Sequence, residues 1–336
     1  MADDNPIDEL LSARVERDPR ISDVFYFFEA LTSLDTGRTI GRKIGVVQEI
    51  LLRKYLENDA DIKRRMYLEQ KLTGRSGASH KVEFSWYFTR PSGSLENGAT
   101  ILPGLVLKEV DTSSHSVLVS VEGSDRPVTL GLGETTPHPR ALRRALDEQR
   151  SDVRLAGVEN GAASFDIVDK SDLLASLESK RVGAQRFRGT NKLGSGIQTI
   201  EKAKQASMVA IDLDLQYNHS VKPLEAVGKK RLLSLVALGN GVHWGSKDKA
   251  VLGTYVDYTF LVRDSGIIRY AEYVRDLLGD DEDFLESFMN YFTGMTKQEP
   301  DDFVVNDDDF EIVVPESEGR TLRAVLTDHL TRVNPL

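Results

Sequence analysis

The sequence predicts a mixed α and β fold, and three patterns along the chain support this class. Apolar residues recur at helical spacing over residues 21–56, and a break at Thr36-Gly37 divides them into two helices. Residues 81–88 alternate polar and aromatic side chains in the manner of a strand. Further along, residues 197–206 have helical spacing and residues 208–213 have the density of a buried strand. Helices and strands are therefore interleaved along the chain.

Other segments extend this pattern into three predicted domains, which span residues 1–160, 161–265 and 266–336. The first ends in short strands and a linker, the second contains the buried strands, and the third consists of helices separated by acidic loops. The remaining predictions are strands at 101–110, 117–121, 164–168 and 251–262, a linker at 157–162, and helices at 140–149, 231–238, 271–278, 284–292 and 321–333.

Composition excludes several kinds of chemistry. The chain has 336 residues and no cysteine, so disulfides, thiolate metal sites and cysteine nucleophiles are absent. Oxygen and nitrogen ligands remain, and they favour magnesium over softer metals. The acidic start lacks the pattern of a signal peptide, and no apolar run approaches the roughly 18 residues of a membrane span. We therefore expect a cytoplasmic protein with no membrane partner.

The net charge of −10 comes from 43 basic and 53 acidic residues. Much of the excess lies in the last quarter of the chain, in the acidic runs at 280–283 and 307–309. Such a balance disfavours nucleic-acid binding by overall charge, but it leaves room for a local basic cleft. The acidic C-terminal region also suits docking to a basic protein partner.

The segment from Phe165 to Lys180 carries the most informative set of charged residues. As a hairpin that turns at Lys170-Ser171, it would place Asp166 on one strand and Glu178 and Lys180 on the next. Residues two apart in a strand share a face, so two carboxylates and an ammonium would converge. The carboxylates are suited to hold Mg²⁺, and the lysine is suited to orient or deprotonate a water that attacks a phosphate.

Asp166 followed by Glu178-Ser179-Lys180 resembles the PD-(D/E)XK nuclease superfamily, the fold of many type II restriction endonucleases. The resemblance implies a restriction-endonuclease-like core of a mixed sheet flanked by helices, with an inserted β-rich region and a helical C-terminal part. It also implies supporting roles for Glu49 on the first core helix and for Gln198 on the helix after the lysine strand.

Two alternatives stay open for this segment. Residues 171–182 also fit a helix, because Ser171 is a good N-cap and no β-branched residue interrupts the stretch from Leu173 to Arg181. In a helix, Glu178 and Lys180 would not share a face. Separately, Glu83 on the predicted strand at 81–88 is an alternative to Asp166 as the first metal ligand, in which case the region from 92 to 160 is an insertion.

Basic residues are densest directly after the proposed motif. They suit contacts to DNA phosphates, or alternatively form a solvated loop and helix start. The predicted DNA-binding residues are Arg181, Arg186, Arg188, Lys192 and Lys202.

These patterns together predict a Mg²⁺-dependent endonuclease that hydrolyses phosphodiester bonds of double-stranded DNA in a restriction or phage-defence system. A homodimer is the simplest way to cut both strands of a symmetric site. The alternative is a non-catalytic binding or assembly subunit of a defence complex. The sequence has no Gly-X-Ser-X-Gly elbow, dinucleotide-binding glycine motif or phosphate-binding P-loop, which disfavours serine hydrolases, dehydrogenases and P-loop enzymes.

Overall fold

The computed structural model describes residues 37–73, 79–134, 138–180, 233–239, 257–263, 303–314 and 320–333, together with residues 265, 266, 269, 270 and 273. The described residues confirm the mixed α and β class. Two compact units are formed, each from separate stretches of sequence. Unit 1 contains residues 1–59, 178–213 and 235–325, and unit 2 contains residues 60–177, 214–234 and 326–336. The three consecutive domains stay a prediction.

Four α-helices and thirteen strands have defined ranges in the part of the chain that the structure describes. The helices are α1 (Gly37–Glu57), α2 (Ala60–Arg65), α3 (Arg140–Glu148) and α4 (Leu322–Val333). The first seven strands are β1 (Met66–Thr73), β2 (Ser79–Tyr87), β3 (Arg90–Leu95), β4 (Thr100–Leu102), β5 (Leu105–Asp111), β6 (Ser116–Val121) and β7 (Val128–Gly131). The others are β8 (Ser151–Glu159), β9 (Ala162–Asp169), β10 (Leu173–Lys180), β11 (Leu233–Gly239), β12 (Tyr258–Val262) and β13 (Phe310–Val314).

Unit 1 combines the long helix α1 with a mixed set of strands. Strands β11 and β12 are parallel, whereas β12 and β13 are antiparallel. Helix α1 buries Val47, Ile50, Leu51 and Tyr55, the apolar stripe that the sequence predicts for this helix. The predicted helix over residues 37–56 is therefore confirmed.

A polar cluster attaches the C-terminal part of unit 1 to helix α1. The hydroxyl of Tyr55 donates a hydrogen bond to the Asp307 carboxylate. Arg323 contacts the same carboxylate at 3.0 Å, and its guanidinium lies 4.4 Å from the centre of the Tyr55 ring. Burial, followed by the hydrogen bond to Asp307, raises the pKa of Tyr55 to about 12. Tyr55 therefore stays protonated as a donor across the physiological pH range.

Unit 2 contains an antiparallel set of three strands, in which β2 pairs with β1 on one side and β10 on the other. Ser85 lies at the centre of this set, opposite Tyr67 on β1 and Ser176 on β10. The indole nitrogen of the buried Trp86 donates to the carbonyl of Ile62 at 3.2 Å, which ties helix α2 to the strands. These contacts hold the first strands after α2 in a fixed register.

Residues 88–172 form an insertion between β2 and β10, two strands that pair with each other. We call this stretch the inserted module. It contains one sheet in the order β3-β9-β8, a second in the order β4-β5-β6-β7, and helix α3. A core of buried residues drawn entirely from positions 101–165 lies inside it, including Leu107, Val119, Leu146 and Phe165. The module therefore has an apolar core of its own.

Two predicted elements are wrong. The predicted helix at 231–238 overlaps β11, whose residues Leu233, Leu235 and Ala237 are buried at alternate positions. A short apolar run fits either element, and pairing with β12 selects the strand. The predicted linker at 157–162 is a tight hairpin, since Glu159 pairs with Ala162 across the turn at Asn160-Gly161.

The predicted strands at 81–88, 117–121 and 164–168 and the predicted helices at 140–149 and 321–333 are confirmed within a few residues, as β2, β6, β9, α3 and α4. The segment predicted as one strand at 101–110 is two strands, β4 and β5, separated by a turn at Pro103-Gly104. The predicted elements at 197–206, 208–213 and 284–292 lie outside the described residues. Within the part of the chain that the structure describes, no helix is long and apolar enough to cross a membrane.

Candidate functional site

The segment that carries Glu178 and Lys180 is a strand. Residues Leu173–Lys180 form β10, so the alternative of a helix over 171–182 is wrong. The side chains of Leu173, Leu174, Ala175 and Leu177 are all buried, and a strand covered on both faces explains why the residues do not alternate in polarity. Glu178 is completely buried at 0% exposure, and Lys180 is the last described residue of the strand.

Helix α1 contacts the end of β10 through a buried amide. The Nε2 atom of Gln48 donates to the Ser179 hydroxyl and to the Ala237 carbonyl of β11, both at 3.1 Å. All of these residues belong to unit 1. Gln48 precedes Glu49, so the predicted acidic helix residue is one position away from a side chain that contacts the Glu178-Ser179-Lys180 segment.

Strand geometry places this contact on one particular face of β10. Successive side chains of a strand point to opposite faces, so Gln48 contacts the face opposite to that of Glu178. Glu49 is partly buried on α1, and its side chain has interactions of its own. The structure therefore brings helix α1 to the motif strand, and it does so through Gln48.

Asp166 does not lie on a strand paired with β10, so the predicted hairpin is wrong. Strand β9, which carries Asp166, pairs with β3 and β8, whereas β10 pairs with β2. The short 3₁₀ helix at Lys170–Asp172 directs the chain from one sheet to the other. Burial raises the pKa of Asp166, against the opposing effect of the Arg154 and Arg64 cations.

Glu83 lies on β2 in unit 2, where its side chain is partly buried and has interactions of its own. It precedes Phe84, which pairs with Leu177 of β10. The other predicted site residues, Gln198, Arg181, Arg186, Arg188, Lys192 and Lys202, lie outside the described residues.

Glu178 carries a carboxylate, the kind of hard oxygen ligand that Mg²⁺ prefers. Among the described residues, no group of three His, Asp or Glu side chains comes together in the manner of a metal site. Asp166 and Glu83, the alternative first ligands, both belong to unit 2, whereas Glu178 belongs to unit 1. A complete set of metal ligands therefore stays a prediction.

Unit 2 also contains a buried polar cluster that the sequence did not indicate. Asp152 is only 2% exposed and accepts hydrogen bonds from Gln70, from His138 at 2.7 Å, and from the Val153 amide at 2.7 Å. Burial alone would lower the pKa of His138, but the charge and hydrogen bond of Asp152 outweigh burial and raise it. Burial would likewise raise the pKa of Asp152, yet His138 and Lys170 lower it.

Arg154 and two tyrosines continue this cluster. The Arg154 guanidinium lies 4.4 Å from the centre of the Tyr67 ring and donates to the Lys63 carbonyl at 3.2 Å, as well as to the carbonyls of Arg64 and Met66. Burial raises the pKa of Tyr67 and of Tyr87 far above the usual range, so both phenols stay neutral. The cluster therefore anchors the inserted module to α2 and β1.

No family model, curated protein or solved structure matches the chain. The resemblance to the PD-(D/E)XK superfamily consequently stays a prediction.

Proposed function

We propose that the protein is a Mg²⁺-dependent endonuclease that hydrolyses phosphodiester bonds of double-stranded DNA, with its reaction centre at the end of β10. One observation carries the proposal: residues Leu173–Lys180 are extended, and the strand ends in the sequence Glu178-Ser179-Lys180 with Glu178 fully buried. Residues two apart in a strand lie on one face, which is the arrangement that a carboxylate and an ammonium need to serve the same phosphate.

The complete burial of Glu178 distinguishes it from glutamates whose charge serves only to interact with solvent. Removal of a carboxylate from water is costly unless nearby donors or cations compensate for the lost hydration. Glutamate side chains are mostly exposed in folded proteins and are almost never fully buried unless they are paired. Glu178 has interactions of its own within the protein, and its neighbour Ser179 is held by helix α1, so the position of this carboxylate is fixed, as a metal ligand requires.

The proposed roles follow from the chemistry of each side chain. Glu178 would bind Mg²⁺, and the ion would neutralise charge that develops on the phosphate. Lys180 orients the water whose oxygen forms a bond to phosphorus while the bond from phosphorus to the leaving sugar oxygen breaks. Glu49 and Gln198 support the site.

Phosphate contacts come from the basic residues that follow the strand, Arg181, Arg186, Arg188, Lys192 and Lys202. This local concentration of positive charge is consistent with DNA binding by a chain whose net charge is −10. A restriction or phage-defence role and a homodimer complete the proposal.

Plasmid cleavage with and without Mg²⁺ tests the proposal. We expect wild-type protein to linearise or nick supercoiled plasmid only with the ion, and we expect Glu178→Gln and Lys180→Ala each to lose at least about 100-fold in rate. Glu159→Gln and Lys108→Ala are matched controls, because both residues are exposed in the inserted module. Their rates should stay within about twofold of wild type.

Two results would overturn this function. One is a folded wild-type protein that cleaves neither plasmid nor linear duplex and whose thermal stability does not change when Mg²⁺ is added. The other is cleavage that survives both substitutions at β10. Either result would favour the non-catalytic assembly subunit, which should gain stability from a protein partner and not from the ion.

A further inference from the structure

Helix α1 places a polar side chain where its neighbours are apolar. Gln48 is 0% exposed, and Val47, Ile50 and Leu51 around it are buried hydrophobic residues. An amide in such a position loses its hydration and must regain hydrogen bonds from the protein. A leucine would fill similar space without that requirement, so the amide indicates a specific contact.

The orientation of the amide is determined by its partners. The Ala237 carbonyl only accepts hydrogen bonds, so the atom 3.1 Å from it must be the donor Nε2. The same nitrogen reaches the Ser179 hydroxyl at 3.1 Å. One side chain of α1 therefore holds both β10 and β11, and the Oε1 atom of Gln48 is buried without a hydrogen-bond partner among the described residues.

The contact acts on the middle residue of the motif. Ser179 is flanked by Glu178 and Lys180, and a strand that rotates about its axis would turn all three residues together. A fixed Ser179 hydroxyl on one face therefore fixes the direction of the opposite face, which carries Glu178.

We propose that Gln48 is a positioning residue for the reaction centre, and that it acts through Ser179 to hold the Glu178-Ser179-Lys180 strand in its reactive orientation. This inference rests on the proposed nuclease function. Gln48 itself contacts neither DNA nor metal in this role. Loss of the contact should therefore lower kcat and leave the KM for DNA unchanged.

The test compares Gln48→Leu, Ser179→Ala and the double variant in single-turnover and steady-state cleavage of duplex DNA. Misplacement of a catalytic group by about 1 Å costs up to about 100-fold in rate. We expect kcat to fall about 10-fold to 100-fold in Gln48→Leu and in Ser179→Ala, with KM within about twofold of wild type. The double variant should be no slower than Gln48→Leu, because both substitutions remove the same contact.

A second readout needs neither DNA nor Mg²⁺. Hydrogen exchange of the β10 amides should accelerate in both single variants, while exchange in the strands of the inserted module stays unchanged. Ser179→Ala retains the bond from Gln48 to Ala237, so it remains informative should Gln48→Leu fold poorly. Gln149→Leu is the control, because it removes a hydrogen bond from a glutamine side chain to a backbone carbonyl, that of Pro103, within the inserted module.

The outcomes separate the two proposals. Wild-type protein that fails to cleave DNA overturns the proposed function and, with it, the positioning role. Wild-type cleavage with unchanged kcat in both single variants overturns only the positioning role. Rate losses that multiply in the double variant, or a rise in KM with unchanged kcat, also overturn it, since Gln48 and Ser179 would then act separately or through DNA binding.

Discussion

Replacement of Asp152 by Asn should destabilise unit 2 and change the pH dependence of its unfolding. Asp152 accepts three hydrogen bonds in a buried environment, from Gln70, His138 and the Val153 amide. Asn keeps the shape but removes the charge and turns one acceptor into a donor that faces Gln70. A hydrogen bond to a charged group contributes about 1.5–3 kcal/mol, so we expect a loss of about 3 kcal/mol in the free energy of unfolding.

The pH dependence follows from the two shifted groups. The pKa of His138 lies above its ordinary value of 6.5 in the folded protein, so its contribution to stability is complete below pH 6.5 and is lost as the pH rises through the folded pKa. The pKa of Asp152 lies below 3.8, so its contribution is present above pH 3.8 and is lost as the pH falls through the folded pKa. The pair of Asp152 and His138 therefore contributes most to the free energy of unfolding between pH 3.8 and pH 6.5.

Urea denaturation at pH 5.5 and pH 8.5 measures this effect. The chain has two tryptophans, and Trp86 is buried in unit 2. A Trp244→Phe background leaves Trp86 as the single tryptophan, so fluorescence then follows the unfolding of unit 2. The difference in unfolding free energy between wild type and Asp152→Asn should be larger at pH 5.5 than at pH 8.5. Equal differences at both pH values, or a loss below about 0.5 kcal/mol, would show that the charge pair of Asp152 and His138 does not stabilise unit 2.

Three further predictions concern other parts of the chain. Tyr55→Phe removes the bond to Asp307 and should lower the stability of unit 1 by about 1 kcal/mol, seen as a lower Tm; an unchanged Tm would contradict it. The inserted module, expressed as residues 88–172, should unfold cooperatively because its core lies within it, whereas a gradual transition would show dependence on β1 and β2. His115 has a φ of 49°, so His115→Gly should preserve stability while His115→Val lowers it by at least about 1 kcal/mol in denaturant unfolding; equal effects would disprove the argument.

Periodicity was sufficient for elements with one buried face. Helix α1 shows this, since Val47, Ile50, Leu51 and Tyr55 form a helical stripe in the sequence and are buried in the structure. Strand β10 is the opposite case. Its leucines and alanine favour a helix by propensity, yet burial on both faces and pairing with β2 make it a strand. Local sequence could not decide between the two.

The geometry of the candidate site was predictable only where it depends on neighbours along one strand. Glu178 and Lys180 are two residues apart, so an extended backbone relates them directly. Asp166 required knowledge of the sheet to which β9 belongs, and the change of sheet after Asp169 removes the hairpin that sequence spacing indicates. The contacts of Gln48 with Ser179 and of Gln70 with Asp152 join residues far apart in sequence, and no local pattern announces them.

Cleavage of a duplex under single-turnover conditions across a Mg²⁺ titration is the decisive test of whether Glu178 acts with the ion. We expect the wild-type rate to rise with the Mg²⁺ concentration and saturate, and the Glu178→Gln rate to stay near background at every concentration. A Glu178→Gln protein that is folded and cuts with the wild-type rate and the wild-type Mg²⁺ dependence would contradict this role of Glu178.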